Sequence, residues 1–131
     1  MKVTAVHPYL TVEVANAADV QTIILSGEAD LLGASSIEAA IGDASSKSSK
    51  PIVLDLKGLT FMDSSSLEAL IAGHGLCRAR GCELRIIPGP ENVQRLFELT
   101  GVRELLPFID APDPDGEVGL ATRERATPPR V

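Results

Sequence analysis

The sequence predicts an α/β fold: a mixed β-sheet of four to five strands with helices packed against it, in the order β-β-α-β-α-β-α. Three observations predict it. Alternating or continuous apolar runs recur at 10–14, 20–25, 52–56 and 84–87, with the length and β-branched content of strands. After the second, third and fourth of these runs come stretches with inward apolar residues three or four apart, each opened by serines or by proline, as amphipathic helices are. Finally, Gly81 and Gly101 stand where two of those helices should end, positions that favour a left-handed residue.

Residues 1–9 show no clear periodicity and close at Pro8-Tyr9. Leu10-Thr11-Val12-Glu13-Val14 alternates as a half-buried strand does. A turn at 15–19 leads to a second strand at 20–25, and the short connection makes the pair a hairpin. Residues 30–34 read as a loop. Ser35-Ser36-Ile37-Glu38 has the spacing of a capping box, which opens a helix to about Ala44 with Ile37 and Ile41 inward. A Ser/Lys-rich linker at 45–50 follows. The run Ile52-Val53-Leu54-Asp55-Leu56 is a buried strand ending at a turn, Lys57-Gly58. A second helix runs from about Ser66 to Arg80. Strand 84–87 stops at Pro88-Gly89-Pro90, with Pro90 as the first residue of a third helix whose inner face carries Val93, Leu96, Phe97 and Thr100. Residues 105–109 suit a short final strand. Strands separated by helices should pair in parallel through right-handed crossovers.

The chain is organised around 52–71, IVLDLKGLTFMDSSSLEALI. Phe61 and Met62 are read as drawing the chain into the core. Three adjacent serines then stand where a strand hands over to a helix, a junction that displays backbone N–H groups and functional side chains. Ser65 and Glu68 form a second capping box, with Ser65 as N-cap and Ser66 in the first turn. Ser64 falls just outside the helix, its hydroxyl idle and outward-facing.

LTFMDSSSLEALIAGH resembles the signature of the anti-sigma factor antagonists of the bacterial STAS-domain family, roughly F-M-D-S-S/T-G-L. The matching residues are Phe61, Met62, Asp63, Ser64, Ser65 and Leu67. Ser26-Gly27-Glu28-Ala29-Asp30 is similar to the family's G-E-L-D element. The stretch from Val93 to Val102, VQRLFELTGV, resembles its V-x-R-x-F/L-x-x-[ST]-G-[LV] element. Together these motifs cover about residues 10 to 109. The resemblance implies the STAS fold and a phosphorylatable serine at Ser64. It further implies an anti-sigma factor with serine kinase activity and a PP2C-type phosphatase as partners, with ATP and Mg²⁺ belonging to the kinase and no cofactor of the chain's own. The implied docking face comprises Asp30, Asp63, Ser64, Ser65, Ser66 and Glu68. Two residues depart from the signature. Ser66 replaces its glycine and Glu68 a further small residue, which enlarges the surface beside Ser64 and adds negative charge.

Composition narrows the alternatives. With 131 residues the chain is one domain. Residues 1–110 form the globular part, and 111–131, with four prolines and several charges, read as a disordered tail. Three Phe and one Tyr leave an aliphatic core. A net charge of −6 argues against nucleic-acid and anionic-membrane surfaces. No membrane-length apolar run or cleavable leader is visible, which places the chain in the cytoplasm. An enzyme is disfavoured. The G-x-S-x-G elbow is absent, and neither His7 nor His74 belongs to a nucleophile–base constellation or a metal site. Two other functions stay open: a non-phosphorylated STAS scaffold subunit, for example of a transporter ATPase complex, and redox sensing through Cys77 and Cys82. The second is disfavoured, because a helix end and a strand start need not approach within bridging distance.

Overall fold

The computed structural model describes residues 2–6 and 9–109. Five strands form one sheet in sequential order. β1 (Lys2–Val6), β2 (Leu10–Asn16) and β3 (Gln21–Ala29) are antiparallel neighbours, and β4 (Ile52–Met62) and β5 (Leu84–Ile87) extend the sheet in parallel with β3. α1 (Leu31–Lys47), α2 (Ser64–Ala79) and α3 (Glu91–Thr100) follow β3, β4 and β5. This is the expected order from β2 onward, with β1 as an added edge strand. The tail expected over 111–131 lies outside the described residues.

The final strand expected at 105–109 is not formed. A 3-10 turn, Arg103–Leu105, is followed by a single parallel bridge from Phe108 to Ile86. Pro107 has no N–H to donate, and its carbonyl accepts from Ile86 N–H at 2.9 Å. A ladder with one missing donor and so short a run stops at one rung.

The core is aliphatic, as the composition requires. Ile23 and Leu25 of β3, Leu54 and Leu56 of β4, and Ile86 of β5 meet Ile37 and Ile41 of α1, Leu67 and Leu70 of α2, and Val93 and Phe97 of α3 in one buried cluster. Phe97 meets Phe108 edge to face, with centroids 4.9 Å apart, an arrangement that suits the ring quadrupoles. A smaller patch of Val53, Ile87 and Ile109 forms separately.

β4 does not end in a turn at Lys57-Gly58. It continues through Met62, because two extra residues are absorbed as bulges. The register against β3 slips once between Ile24 and Ser26 and again between Gly27 and Glu28. Each bulge resets the side-chain alternation. Leu56, Leu59 and Met62 therefore point inward at a spacing of three, and Phe61 is left 45% exposed. Only Met62 of the Phe61–Met62 pair is drawn into the core.

α1 starts earlier than the Ser35–Glu38 box predicts. Asp30 is its N-cap and accepts from Leu32 N–H at 3.1 Å. The helix also runs on to Lys47 through residues expected in the linker. Ser45 and Ser46 donate back to the carbonyls of Gly42 and Asp43 at 3.1 and 2.9 Å, so their hydroxyls are satisfied within the helix. At α3, Pro90 is the N-cap and not the first helical residue.

Candidate functional site

Parallel pairing builds the site. Ala29 at the end of β3 lies opposite Met62 at the end of β4, and Asp63 N–H donates to Ala29 carbonyl at 3.0 Å. Each strand then turns into a helix one residue later. The N-caps Asp30 and Asp63 therefore stand side by side, and the positive ends of α1 and α2 point to the same edge of the sheet.

Asp63 caps α2 with an extended backbone, and its carboxylate accepts from Ser66 N–H at 3.1 Å. This corrects the expected capping box. With Asp63 as N-cap the helix starts two residues before the box predicts, since a carboxylate caps as well as a hydroxyl and adds charge–dipole attraction. Ser65 becomes the second helical residue and Glu68 stays exposed.

The three serines are separated by burial. Ser64 is the first helical residue and exposed, and its hydroxyl has no hydrogen-bond partner among the described residues. Ser65 is half-buried. Ser66 is fully buried and donates to the Asp30 carbonyl at 3.4 Å. It ties the two helix starts together from beneath and does not line the outer face. Asp30 and Asp63 are half-exposed beside Ser64.

An apolar collar of exposed side chains lies at the same end of the sheet as this acidic centre. Leu31 and Leu32 open α1 at 70% and 60% exposure, Phe61 stands one residue before the end of β4, and Tyr9 lies beside Glu28, whose N–H its carbonyl accepts. A groove of about 470 Å³ runs between α1 and α2, with Leu31, Ala34 and Ala72 for apolar walls and Glu38, Ser65 and Glu68 for polar ones. The inward phase of α1 is Gly33, Ile37, Ile41 and Ala44. Leu31 and Leu32 fall outside it, a sign available in the sequence once the helix is started at Asp30. Clustered exposed leucine and phenylalanine mark an interaction surface more often than a solvated one.

No histidine stands beside Ser64 among the described residues. His74 lies ten residues along α2, about 15 Å away by helical rise. Burial, then the Arg78 charge, holds its pKa below the usual histidine value.

A sequence profile described as "Mlab, STAS domain" matches residues 12–107. The chain belongs to the STAS domain family. It is 29% identical over 102 residues to a Paenibacillus polymyxa protein named anti-sigma F factor antagonist, covering 77% of this chain and 87% of that one. The crystal structure of an anti-sigma factor antagonist from Mycobacterium paratuberculosis superposes with a TM-score of 0.70 at 26% identity, covering 88% and 94% of the two chains. The unphosphorylated form of the anti-sigma factor antagonist SpoIIAA shares the fold, with a TM-score of 0.63 at 20% identity and coverage of 76% and 88%.

The capping geometry of this STAS domain makes a direct prediction. Asp63→Ala should lower stability by about 1 kcal/mol, because Ser66 N–H loses its acceptor. Glu68→Ala should change it by less than about 0.5 kcal/mol, since Glu68 is an exposed surface residue. Urea unfolding of both variants tests this, and a larger loss for Glu68→Ala than for Asp63→Ala would restore the capping box.

Proposed function

We propose that this chain is an anti-sigma factor antagonist switched by phosphorylation of Ser64. The observation that carries the reading is the exposed Ser64 hydroxyl at the start of α2, without a hydrogen-bond partner among the described residues, with exposed Leu31, Leu32 and Phe61 at the same end of the sheet. Its similarity to proteins named anti-sigma factor antagonists supports the same reading.

In this reading the unphosphorylated face binds an anti-sigma factor with serine kinase activity and so frees a sigma factor. ATP and Mg²⁺ are held by that kinase. Asp30, Asp63, Ser65 and Glu68 form the polar part of the face, and the collar supplies apolar area. Phosphorylation adds a charge of about −1.5 to −2 and three acceptor oxygens. The N–H groups of the first turn and the paired helix dipoles accommodate that charge, so the fold persists. The docked partner meets bulk and added negative charge beside Asp63 and Glu68, and leaves. A PP2C-type phosphatase resets the switch. The chain acts as substrate and ligand, not as an enzyme, and works in the cytoplasm. Among the described residues no helix is long and apolar enough to cross a membrane.

Incubation with anti-sigma kinases from the same genome and ATP, followed by mass spectrometry, tests the reading. Phosphate is expected on Ser64 and is lost in Ser64→Ala. Ser66 should stay unmodified, since it is buried. No phosphate on Ser64, together with unchanged partner binding by Ser64→Asp, would instead indicate a constitutive STAS scaffold subunit.

A further inference from the structure

The far end of α2 carries chemistry that the Ser64 switch does not use. The helix closes through two paired hydrogen bonds around Gly81, whose φ is +74°. Gly81 N–H donates to Arg78 carbonyl at 3.2 Å and Cys82 N–H to Cys77 carbonyl at 2.8 Å. This is the Schellman arrangement, in which the residue after the left-handed glycine folds back onto the one five positions earlier and their side chains touch. Those two residues are Cys77 and Cys82. The cap brings these two side chains together, and Cys82 Sγ donates to Lys50 carbonyl at 3.2 Å. The separation that a helix end and a strand start suggest in sequence is thus removed by the cap.

We propose that Cys77 and Cys82 form an oxidative modification site that closes to an intramolecular disulfide on reaction with hydrogen peroxide or a comparably small peroxide. The pair is buried, with Cys77 wholly inaccessible and Cys82 4% exposed, which selects a small oxidant. Cys82, the more accessible, attacks one peroxide oxygen as its thiolate. The O–O bond breaks, one oxygen stays on sulfur as sulfenic acid, and the other leaves as water with the thiol's proton. Cys77 sulfur then displaces the hydroxyl, which leaves as a second water with the Cys77 proton. Two thiols and one peroxide become one disulfide and two waters. Each sulfur loses one electron, and the peroxide gains two. The bond staples the carboxyl end of α2 to the start of β5, and a thiol reductant reverses it. In a reducing compartment the dithiol is the resting form. Burial pushes both thiols up, and contact with Cys82 helps bring Cys77 to about 11, so the reaction should quicken as pH rises through the thiol range.

The test uses the full chain, reduced, exposed to hydrogen peroxide, then denatured and alkylated with N-ethylmaleimide. Intact mass should show a monomer lighter by two hydrogens with no maleimide attached, and dithiothreitol should return both alkylatable thiols. In Cys77→Ala, Cys82 sulfenic acid should be trapped by dimedone. Retention of both thiols, disulfide-linked dimers or direct over-oxidation to sulfinic acid in the wild type would overturn the proposal.

Discussion

Gly27→Ala is expected to cost about 3 kcal/mol of stability. Gly27 has φ +98°, a region that costs a residue with a Cβ about 1–3 kcal/mol. A Cβ there would also collide with the Tyr9 carbonyl oxygen and lie 3.1 Å from its carbon. Both are backbone atoms, so no flexible side chain can yield. That carbonyl accepts Glu28 N–H at 2.6 Å, and displacing it loses a further hydrogen bond worth about 1 kcal/mol. Gly27 sits between Leu10 of β2 and Leu59 of β4, so the strain falls in the middle of the sheet, three residues before Asp30. Gly75→Ala is the control of opposite sign. Nothing lies within 4 Å of a Cβ at that exposed position of α2, and alanine is favoured over glycine there by up to about 1 kcal/mol. Urea midpoints at unchanged slope measure both. A loss below about 1 kcal/mol for Gly27→Ala would show that the β2–β3 pairing shifts to make room.

The parts of this fold legible in the sequence are those set by local periodicity. Ile37 and Ile41, Val93 and Phe97, and the alternation in β2 each report a buried face directly. What escaped depends on contacts across the sheet. The bulges in β4 arise from its register against β3, and nothing in LKGLTFM announces that Phe61 faces solvent while Leu59 does not. The helix starts were misplaced for a related reason. Both capping boxes are valid local patterns, but parallel pairing of Ala29 with Met62 ends the two strands together and gives Asp30 and Asp63 the first claim on the helix N–H groups. At the site, the DSSS run and its outward Ser64 were visible in the sequence. The collar was not, because Leu31 and Leu32 belong to a helix only once Asp30 is its cap.

Ser64→Glu is expected to weaken binding to the anti-sigma factor by about 100-fold or more, while Ser64→Ala binds nearly as wild type. A hundredfold loss is about 3 kcal/mol, within what a like-charge contact in a desolvated interface costs. In the proposed reading the face already holds Asp30, Asp63 and Glu68, so its partner has to tolerate that charge, and a carboxylate added at Ser64 increases it. The fold should not suffer. An acidic residue in the first turn of a helix is stabilising by about 0.3–1 kcal/mol, so Ser64→Glu should melt at or slightly above the wild-type temperature. That separation makes the result interpretable: binding lost with melting preserved is the outcome of a charge gate, since unfolding would lower both. Titration calorimetry with the purified anti-sigma factor, alongside thermal melts of the three proteins, measures the two quantities. If Ser64→Glu bound as tightly as wild type, the hydroxyl would lie outside the interface and the switch would have to reside elsewhere on the collar.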